Sequence, residues 1–395
     1  MHNDELGGVV EGFYGQQWTQ AQRLALFDQM VDCGLNTYFY SPKDDLKHRA
    51  LWRSSYDENE IDALRTLVAA CNEHGLNFIY GLSPGLDIRF SEDQEQETIR
   101  DRFRQMIEIG VQQFALLFDD LPGRMTDEDT SKFASVASAQ AYVTNATFAW
   151  LKNQVPESRM LFCPTPYCDR MVKWELGGAD YLDTIGNDLA SEIDVLWTGP
   201  EIISQDINRA ALESVTQRIK RQPVIWDNLH ANDYDLRRLF CGPYSRSPDL
   251  RESVRGILTN PNNEFPVNYI PIRTLGEYLN NDDYDPRSAF TTAAQDWARQ
   301  YETIHGAISA EDVTLLADCY YLPYSNGAHA ETLKAHVDVI LNESPDTWGD
   351  SYNAFSDLHK RVVGIFGQLT QLRNRELFYA WSRRIWELRE ELDLI

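Results

Sequence analysis

The sequence of 395 residues predicts an α/β fold, a (β/α)8 TIM barrel followed by a C-terminal all-helical domain. From residue 7 to about 265, short apolar runs alternate with segments of helical periodicity, which is the pattern of a barrel built from strand–helix units. From about Pro286 onward the apolar runs stop and helical segments alone follow. These observations predict a barrel domain at residues 1–285 and a helical domain at residues 286–395.

Eight apolar runs predict the strands, and they are continuous rather than alternating, as expected for strands buried on both faces. They are Gly7–Tyr14, Asn36–Pro42, Asn77–Pro84, Gln113–Asp120, Met160–Tyr167, Asp194–Pro200, Pro223–Asn228 and Gly256–Pro261. A doubly wound open sheet is the alternative, but it usually has fewer strands and often a glycine-rich phosphate loop after the first one. The first run here ends Glu11-Gly12-Phe13-Tyr14-Gly15, which lacks that glycine spacing, so the barrel is favoured.

Helical periodicity with glycine stops predicts the intervening helices. Thr19–Cys33 ends at Gly34, and Glu60–His74 ends at Gly75. Further helices are predicted near Gln94–Ile109, Ser131–Asn153 and Arg209–Arg221, with shorter ones at Tyr181–Leu189 and Asp233–Phe240. The C-terminal helices are predicted near Ala289–His305, Ser309–Cys319, Ala328–Asn342 and Trp348–Leu392, the last divisible near Asn374.

Composition restricts the partners. Hydrophobic residues make up 43% and charged residues 25%, as in an ordinary globular protein. The net charge of −25 disfavours nucleic-acid binding, which needs clustered Lys and Arg, and it disfavours docking on anionic membranes. No apolar run reaches the length of about 18 residues that spans a bilayer, and the N-terminus has no basic segment followed by an apolar run. We therefore expect a cytoplasmic protein without nucleic-acid or membrane partners.

Metal and cofactor sites are not expected either. The six cysteines are scattered, and the cysteines, histidines and acids show no metal-ligand spacing. The sequence therefore predicts no metal and no cofactor.

Polar and aromatic side chains follow the predicted strands at the end where barrels of this kind place their active sites. This set is Gly12, Tyr14, Lys43, Asp119, Asp120, Tyr167, Trp226, Asn228 and Asn260. Acids and amides bind sugar hydroxyls, and aromatic faces pack on the C–H surface of a sugar ring. The combination indicates a carbohydrate pocket.

The pair Asp119-Asp120 closes an apolar run. Two carboxylates there are costly unless they are used, because burying an unpaired charge is expensive. Successive side chains of a strand point to opposite faces, so both can face one pocket only if the chain leaves the pleat, which the following Leu121-Pro122-Gly123 allows. The alternative is that one aspartate faces the pocket while the other caps a turn or pairs with a Lys or Arg.

Three other features have a structural interpretation beside a functional one. The segment Lys43–His48 is either part of the site or a solvated loop with internal ion pairs. Glu11, inside the first strand, is a candidate for a buried ion pair. His230 follows a strand as a base could, but no Ser or Cys nucleophile motif accompanies it, so a structural role is favoured.

Seven motifs lie in order along the predicted strands: Gly8–Gly15, Tyr40–Asp45, Ser83–Asp87, Phe114–Asp120, Trp197–Pro200, Trp226–Asn228 and Leu258–Pro261. Together they resemble glycoside hydrolase family 84, the family of protein O-GlcNAcases and related bacterial β-N-acetylglucosaminidases. The resemblance covers roughly residues 7 to 280. It implies a retaining exo-β-N-acetylglucosaminidase, in which the acetamido oxygen of the substrate attacks its own anomeric carbon and forms an oxazoline.

The resemblance also implies roles for single residues. Asp119 would bind and polarise the acetamido N–H, while Asp120 would protonate the leaving oxygen and then act as base for the water. The sugar pocket would include the Gly12 backbone, Lys43, Tyr167, Trp226, Asn228, Asp233 and Asn260, beside Tyr14 at the end of the first strand. Among these, Asp233 and Asn260 resemble hydroxyl-binding residues, and Tyr167 and Trp226 resemble the walls around the acetyl group.

The implied substrate is a β-O-GlcNAc-bearing protein, peptide or glycan. Two other functions stay open: an exo-hexosaminidase that acts on glycan or cell-wall fragments, and a catalytically silent GlcNAc-binding module. The intact Asp119-Asp120 pair argues against the silent module, because a pure binder needs no acid beside a second carboxylate.

Overall fold

The computed structural model describes residues 5–235 and 237–395. Eight parallel strands close into a barrel in chain order, with the first strand paired to both the second and the eighth. The strands are β1 (Leu6–Glu11), β2 (Thr37–Tyr40), β3 (Asn77–Leu82), β4 (Gln113–Leu117), β5 (Arg159–Cys163), β6 (Asp194–Trp197), β7 (Val224–Asp227) and β8 (Gly256–Thr259). The predicted barrel is therefore confirmed, and each strand overlaps one predicted apolar run.

Helices separate most of the strands. They are α1 (Gln20–Asp32), α2 (Glu58–Glu73), α3 (Asp93–Glu108), α4 (Asp127–Lys132), α5 (Val136–Gln154), α6 (Asp169–Lys173), α7 (Tyr181–Asp188) and α8 (Arg209–Ile219). Between β7 and β8 the described residues contain one 3-10 helix, Pro248–Ser253, and no α-helix.

The local sequence explains where the first helices begin and end. The Thr19 hydroxyl accepts a hydrogen bond from the Gln22 backbone at 3.2 Å, and the Gln22 side chain accepts one from the Thr19 backbone at 2.9 Å. This reciprocal cap satisfies two N–H groups that the first helical turn leaves without partners, and α2 begins in the same way. Gly34 and Gly75, the predicted stops, both have a φ of 67°, which glycine adopts at little cost.

Strand alternation decides which residues reach the barrel interior. Apolar side chains from all eight strands form one buried cluster that includes Val10, Phe39, Ile79, Leu117, Leu161, Leu196, Val224 and Leu258. Side chains two residues apart in a strand lie on the same face. Continuing this alternation past the strand ends directs Gly12, Asp119, Asn228 and Asn260 toward the interior at the carboxyl-terminal end of the barrel.

The chain packs into two compact units. One comprises residues up to Leu229 together with Arg246–Asn263, and the other comprises His230–Ser245 and Glu264–Ile395. The second unit contains α9 (Tyr269–Asn280), α10 (Pro286–Trp297), α11 (Ala310–Cys319), α12 (Ala328–Asn342), α13 (Asp350–Leu369) and α14 (Arg375–Asp393), around its own apolar core. The predicted C-terminal helical region is confirmed, and the domain division at residue 285 stays a prediction.

Some details differ from the sequence-based expectations. The predicted helix Ser131–Asn153 is two helices, because Ser135 caps a new start at α5. The predicted helix Ala289–His305 gives way after α10 to a 3-10 turn and the short antiparallel strands β9 (Glu302–Thr303) and β10 (Gly306–Ala307).

Two other differences concern helices that the sequence placed wrongly or not at all. Helix α9 has no predicted counterpart; its Pro271 lies in the first turn, where a proline removes no helical hydrogen bond. The described residues of Asp233–Phe240 form no helix. No helix in the described part of the chain has the length and apolar character that crossing a membrane requires.

Candidate active site

Asp119 and Asp120 follow β4 at the carboxyl-terminal end of the barrel. The Asp119 side chain continues the inward alternation and is buried. Asp120 has a φ of 54°, so the chain leaves the strand geometry at this residue. The Asp120 carboxylate accepts hydrogen bonds from the hydroxyls of Tyr167 and Tyr14, each at 2.7 Å. The departure from the pleat that the sequence analysis required is present, and Tyr14, Tyr167 and Asp120 lie together.

Two cations face the Asp119 carboxylate. Lys43 Nζ donates to Asp119 Oδ2 at 2.6 Å, and Arg49 Nη1 lies 3.8 Å from the same oxygen. Burial on its own would raise the pKa of Asp119, but the charges of Lys43 and Arg49 outweigh it and leave that pKa below its usual value. Asp119 is therefore an ionised carboxylate at neutral pH, and its other oxygen, Oδ1, is buried without a hydrogen-bond partner among the described residues.

The segment Lys43–His48 is solvated only in part, because Asp44 and Leu46 are exposed whereas the Lys43 side chain and His48 are buried. The Lys43 side chain is only 3% exposed. His48 is fully buried between the Gly81 carbonyl, at 2.9 Å from Nδ1, and the Ser41 hydroxyl, at 3.2 Å from Nε2. Burial, and then the charge of Lys43, lower the pKa of His48 to about 4, so this imidazole is neutral at pH 7.

Arg49 lies beside the same carboxylate and is not among the residues predicted from the sequence. Its buried guanidinium donates to the Ser83 hydroxyl at 3.0 Å and to the backbone carbonyls of Asp119 and Asp120 at 3.4–3.5 Å. The sequence around Arg49 mixes charged residues with Leu46, Leu51 and Trp52, and the hydrogen-bond partners of Arg49 are 34 to 71 residues away in the chain. No local signal identifies such a residue, whose importance depends on which loops the barrel brings together.

Trp226 forms a wall of the interior beside Gly12. A β-carbon on Gly12 would lie 2.0 Å from Cζ2 of the indole, so only glycine permits this approach. The indole packs edge-on against Phe39, with ring centroids 5.7 Å apart, and Lys43 Nζ lies 5.9 Å from its centroid. The structure therefore brings Gly12, Lys43 and Trp226 together.

A chain of hydrogen bonds joins the ends of β7 and β8. The Trp226 indole N–H can only donate, and it bonds Asn228 Oδ1 at 3.1 Å. The Asn228 amide nitrogen donates to the Ile202 carbonyl at 2.8 Å, while Asn260 Nδ2 donates to Asn228 Oδ1 at 2.9 Å. These bonds orient both amides and leave Asn260 Oδ1 buried without a partner among the described residues. Asn228 thus orients Trp226 and Asn260.

Nearby buried acids are fully engaged in structural contacts. Asp227, between Trp226 and Asn228, receives two hydrogen bonds from Arg246 at 2.7 and 2.8 Å, with both side chains at most 1% exposed. Glu11 binds Arg23 through two hydrogen bonds, also at 2.7 and 2.8 Å, which agrees with the buried ion pair anticipated from the sequence.

Asp233 is the one predicted site residue that lies in the other compact unit. It belongs to the second compact unit, on the segment His230–Ser245, and its role in binding a sugar hydroxyl stays a prediction. His230, in the same segment, is fully buried and contacts the Gly242 carbonyl through Nε2 at 3.0 Å, which favours a structural role.

Asp119 and Asp120 offer two different chemical groups at the carboxyl-terminal end of β4. Asp119 is an ionised acceptor with an unused oxygen that can receive an N–H or O–H from a ligand. The Asp120 residue is exposed, so its carboxyl group is accessible to a ligand and to water. Two buried acceptors without partners, Asp119 Oδ1 and Asn260 Oδ1, suit a ligand rich in hydrogen-bond donors, because an unpaired buried polar atom costs about 1–3 kcal/mol until it is paired.

Comparison with known proteins gives consistent relatives. The sequence profile of the family described as β-N-acetylglucosaminidase matches residues 7–310. The proteins named protein O-GlcNAcase from Rattus norvegicus and Mus musculus are each 47% identical to the chain over 274 residues, which is 69% of this chain and 30% of each relative. The matched part is thus under a third of these relatives' length. Among solved structures, a variant of an O-GlcNAc hydrolase from Thermobaculum terrenum matches with a TM-score of 0.85 and 26% identity, covering 98% of this chain and 83% of the other.

Proposed function

The chain belongs to the β-N-acetylglucosaminidase family, and from this premise we propose that it is a retaining exo-β-N-acetylglucosaminidase that removes O-linked GlcNAc from modified polypeptides. The observation that carries the proposal is the contrast between the two neighbouring carboxylates. Asp119 is buried, ionised and short of one hydrogen bond, whereas Asp120 is exposed and held by two tyrosine hydroxyls.

In the first step, the substrate's acetamido oxygen attacks the anomeric carbon as the glycosidic C–O bond breaks. Asp120 transfers its proton to the departing oxygen. Asp119 Oδ1 accepts the acetamido N–H and stabilises the positive charge that develops on the forming oxazolinium ring, a preorganised electrostatic contribution. In the second step, a water molecule adds to the anomeric carbon, opens the oxazoline and gives its proton to Asp120, so the β configuration is retained.

The remaining pocket residues are proposed to hold the sugar. Asn260 Oδ1 would accept a sugar hydroxyl, and Asp233 would accept another. Trp226 and Tyr167 would flank the acetyl group, and Gly12 is required because no side chain fits beside the indole. Lys43 keeps Asp119 ionised, so it acts on the reaction through that carboxylate.

A leaving-group series tests the chemical roles. Aryl β-GlcNAc substrates that differ in leaving-group pKa should be cleaved by the wild type with a shallow dependence on that pKa. Asp120→Asn should lose about 10²–10⁴-fold in kcat/KM for poor leaving groups and far less for good ones, because it removes the proton donor. Asp119→Asn should lose activity about equally for all of them. The roles would be reversed if kcat/KM of Asp120→Asn were independent of leaving-group pKa while kcat/KM of Asp119→Asn depended steeply on it.

A second measurement tests the substrate class. We expect kcat/KM for an O-GlcNAc-modified peptide to exceed kcat/KM for chitobiose. A preference for chitobiose would instead support an exo-hexosaminidase of glycan or cell-wall fragments. Binding of GlcNAc without turnover of any aryl substrate would identify a silent binding module and refute the enzymatic proposal.

A further inference from the structure

The backbone at Asp120 is held in an uncommon conformation. Its φ of 54° is in the left-handed region, which non-glycine residues seldom adopt and which persists only where surrounding contacts stabilise it. Regular strand geometry would turn the Asp120 side chain away from the interior that Asp119 faces. The turn instead brings the Asp120 carboxylate to the hydroxyls of Tyr14 and Tyr167.

The guanidinium of Arg49 contacts the backbone of this turn. Nη2 lies 3.5 Å from the Asp119 carbonyl oxygen and 3.4 Å from the Asp120 carbonyl oxygen, and Nη1 lies 3.4 Å from the former. Each of these bonds is long, but one cation reaches two consecutive carbonyls together with the Asp119 carboxylate. The hydrogen bonds of the described residues give neither carbonyl another donor.

Arg49 is itself fixed to the neighbouring strand. Its Nη1 donates to Ser83 Oγ at 3.0 Å, and the Ser83 backbone N–H donates to the His48 carbonyl at 2.9 Å. His48 is anchored in turn on the Gly81 carbonyl. The segment is thus bonded to the end of β3, which pairs with β4, so the support of the turn comes from a rigid part of the barrel.

We infer that Arg49 is a positioning residue, whose planar guanidinium holds the Asp119-Asp120 turn so that the Asp120 carboxyl points at the leaving-group oxygen. The inference rests on the proposed function, because it concerns the acid of that reaction. A planar fork with five donors can contact the carbonyls and Ser83 at once, whereas the compact ammonium of a lysine cannot. Substitutions of Arg49 can therefore distinguish the effect of its charge on Asp119 from the effect of its shape on the turn.

The test uses Arg49→Lys in the full chain, with Arg53→Lys as the matched control. Arg53 is four residues further along the same segment and pairs with Asp87 and Glu95. Arg49→Lys keeps a positive charge near Asp119 but loses the fork. Its kcat/KM should fall by about 10²-fold for aryl GlcNAc substrates with the poorest leaving groups and little for the best, because a displacement of about 1 Å at a reacting group has that cost. For Arg53→Lys, kcat/KM should depend on leaving-group pKa as it does in the wild type.

A second variant, Arg49→Met, removes the charge as well. It should show the same steep leaving-group dependence together with an additional loss that is equal for all substrates, because Asp119 then has one cation fewer. Far-UV circular dichroism establishes that each variant is folded, and if Arg49→Met does not fold, Arg49→Lys decides alone. A loss by Arg49→Lys that is equal for all leaving groups, or no loss, would overturn the inference. Failure of the proposed function would look different, because the wild type itself would then not turn over these substrates.

Discussion

Replacing Lys43 by methionine should expose how strongly the site depends on one buried ion pair. The pair joins Lys43 Nζ and Asp119 Oδ2 at 2.6 Å, with the two side chains 3% and 11% exposed. With an effective dielectric constant of about 20, a pair at this distance gains roughly 6 kcal/mol, and the Arg49 contact at 3.8 Å gains roughly 4 kcal/mol. Removing one partner of a buried pair has a net cost of about 3–5 kcal/mol. We expect Lys43→Met to lose this amount of unfolding free energy at pH 7.

The loss should depend on pH in a defined direction. In the wild type the pKa of Asp119 is lowered, so its stabilising contribution is present above the unfolded-state pKa of about 3.9 and is lost as the pH falls through the folded-state value. In Lys43→Met we expect the pKa of Asp119 to rise, because burial then acts against Arg49 without the opposing charge of Lys43. The stability difference between wild type and variant should therefore be largest near pH 7 and shrink as the pH falls through the raised pKa of Asp119 in the variant, which lies above about 3.9.

Urea denaturation of both proteins at pH 7 and pH 4 measures this difference. Lys47→Met is the matched control, because Lys47 belongs to the same segment but pairs with Glu60 in a partly exposed position. Such a surface pair is worth about 0–1 kcal/mol. If Lys43→Met is no less stable than Lys47→Met at pH 7, or if its stability deficit does not shrink on acidification, the buried pair with Lys43 does not keep Asp119 ionised.

Three other substitutions test separate parts of the site. Gly12→Ala should cost about 1–3 kcal/mol of stability by displacing the Trp226 indole, and its kcat/KM should fall; a wild-type value would show that the indole does not line the sugar site. Asn260→Ala should lose about 10- to 100-fold in kcat/KM, corresponding to about 1–3 kcal/mol for a lost hydrogen bond, while thermal unfolding changes little; early melting with normal inhibitor binding would mark Asn260 as structural. Arg246→Met should lose about 3–5 kcal/mol of stability, since it leaves Asp227 buried and unpaired; a loss under 1 kcal/mol in urea denaturation would contradict that pairing.

The sequence predicts the part of the structure that depends on local pattern. Continuous apolar runs locate all eight strands, and polar residues just beyond several of them mark the end of the barrel at which the site is proposed. The period of two along a strand also directs Asp119 and Asn260 inward. These features depend on neighbouring residues only, so one sequence is enough to predict them.

The rest depends on contacts between distant segments. Arg49 and His48 lie in a charged stretch, yet both are buried against distant segments: His48 contacts the Gly81 carbonyl of β3, and Arg49 contacts the turn that follows β4. The segment Asp233–Phe240 has helical composition, yet its described residues form no helix. Local propensity gives no information about such tertiary effects.

The fixed orientation of the Asn228 and Asn260 amides has a consequence for analogue design. Because the Trp226 indole can only donate, neither amide can rotate to exchange its oxygen and nitrogen without losing bonds. Under the proposed function, this wall would therefore always present an oxygen, Asn260 Oδ1, to the bound sugar. A GlcNAc analogue with fluorine in place of the hydroxyl at that position would set two electronegative atoms against each other and bind poorly. An analogue with an amino group at that position can still donate a hydrogen bond to Asn260 Oδ1 and should bind.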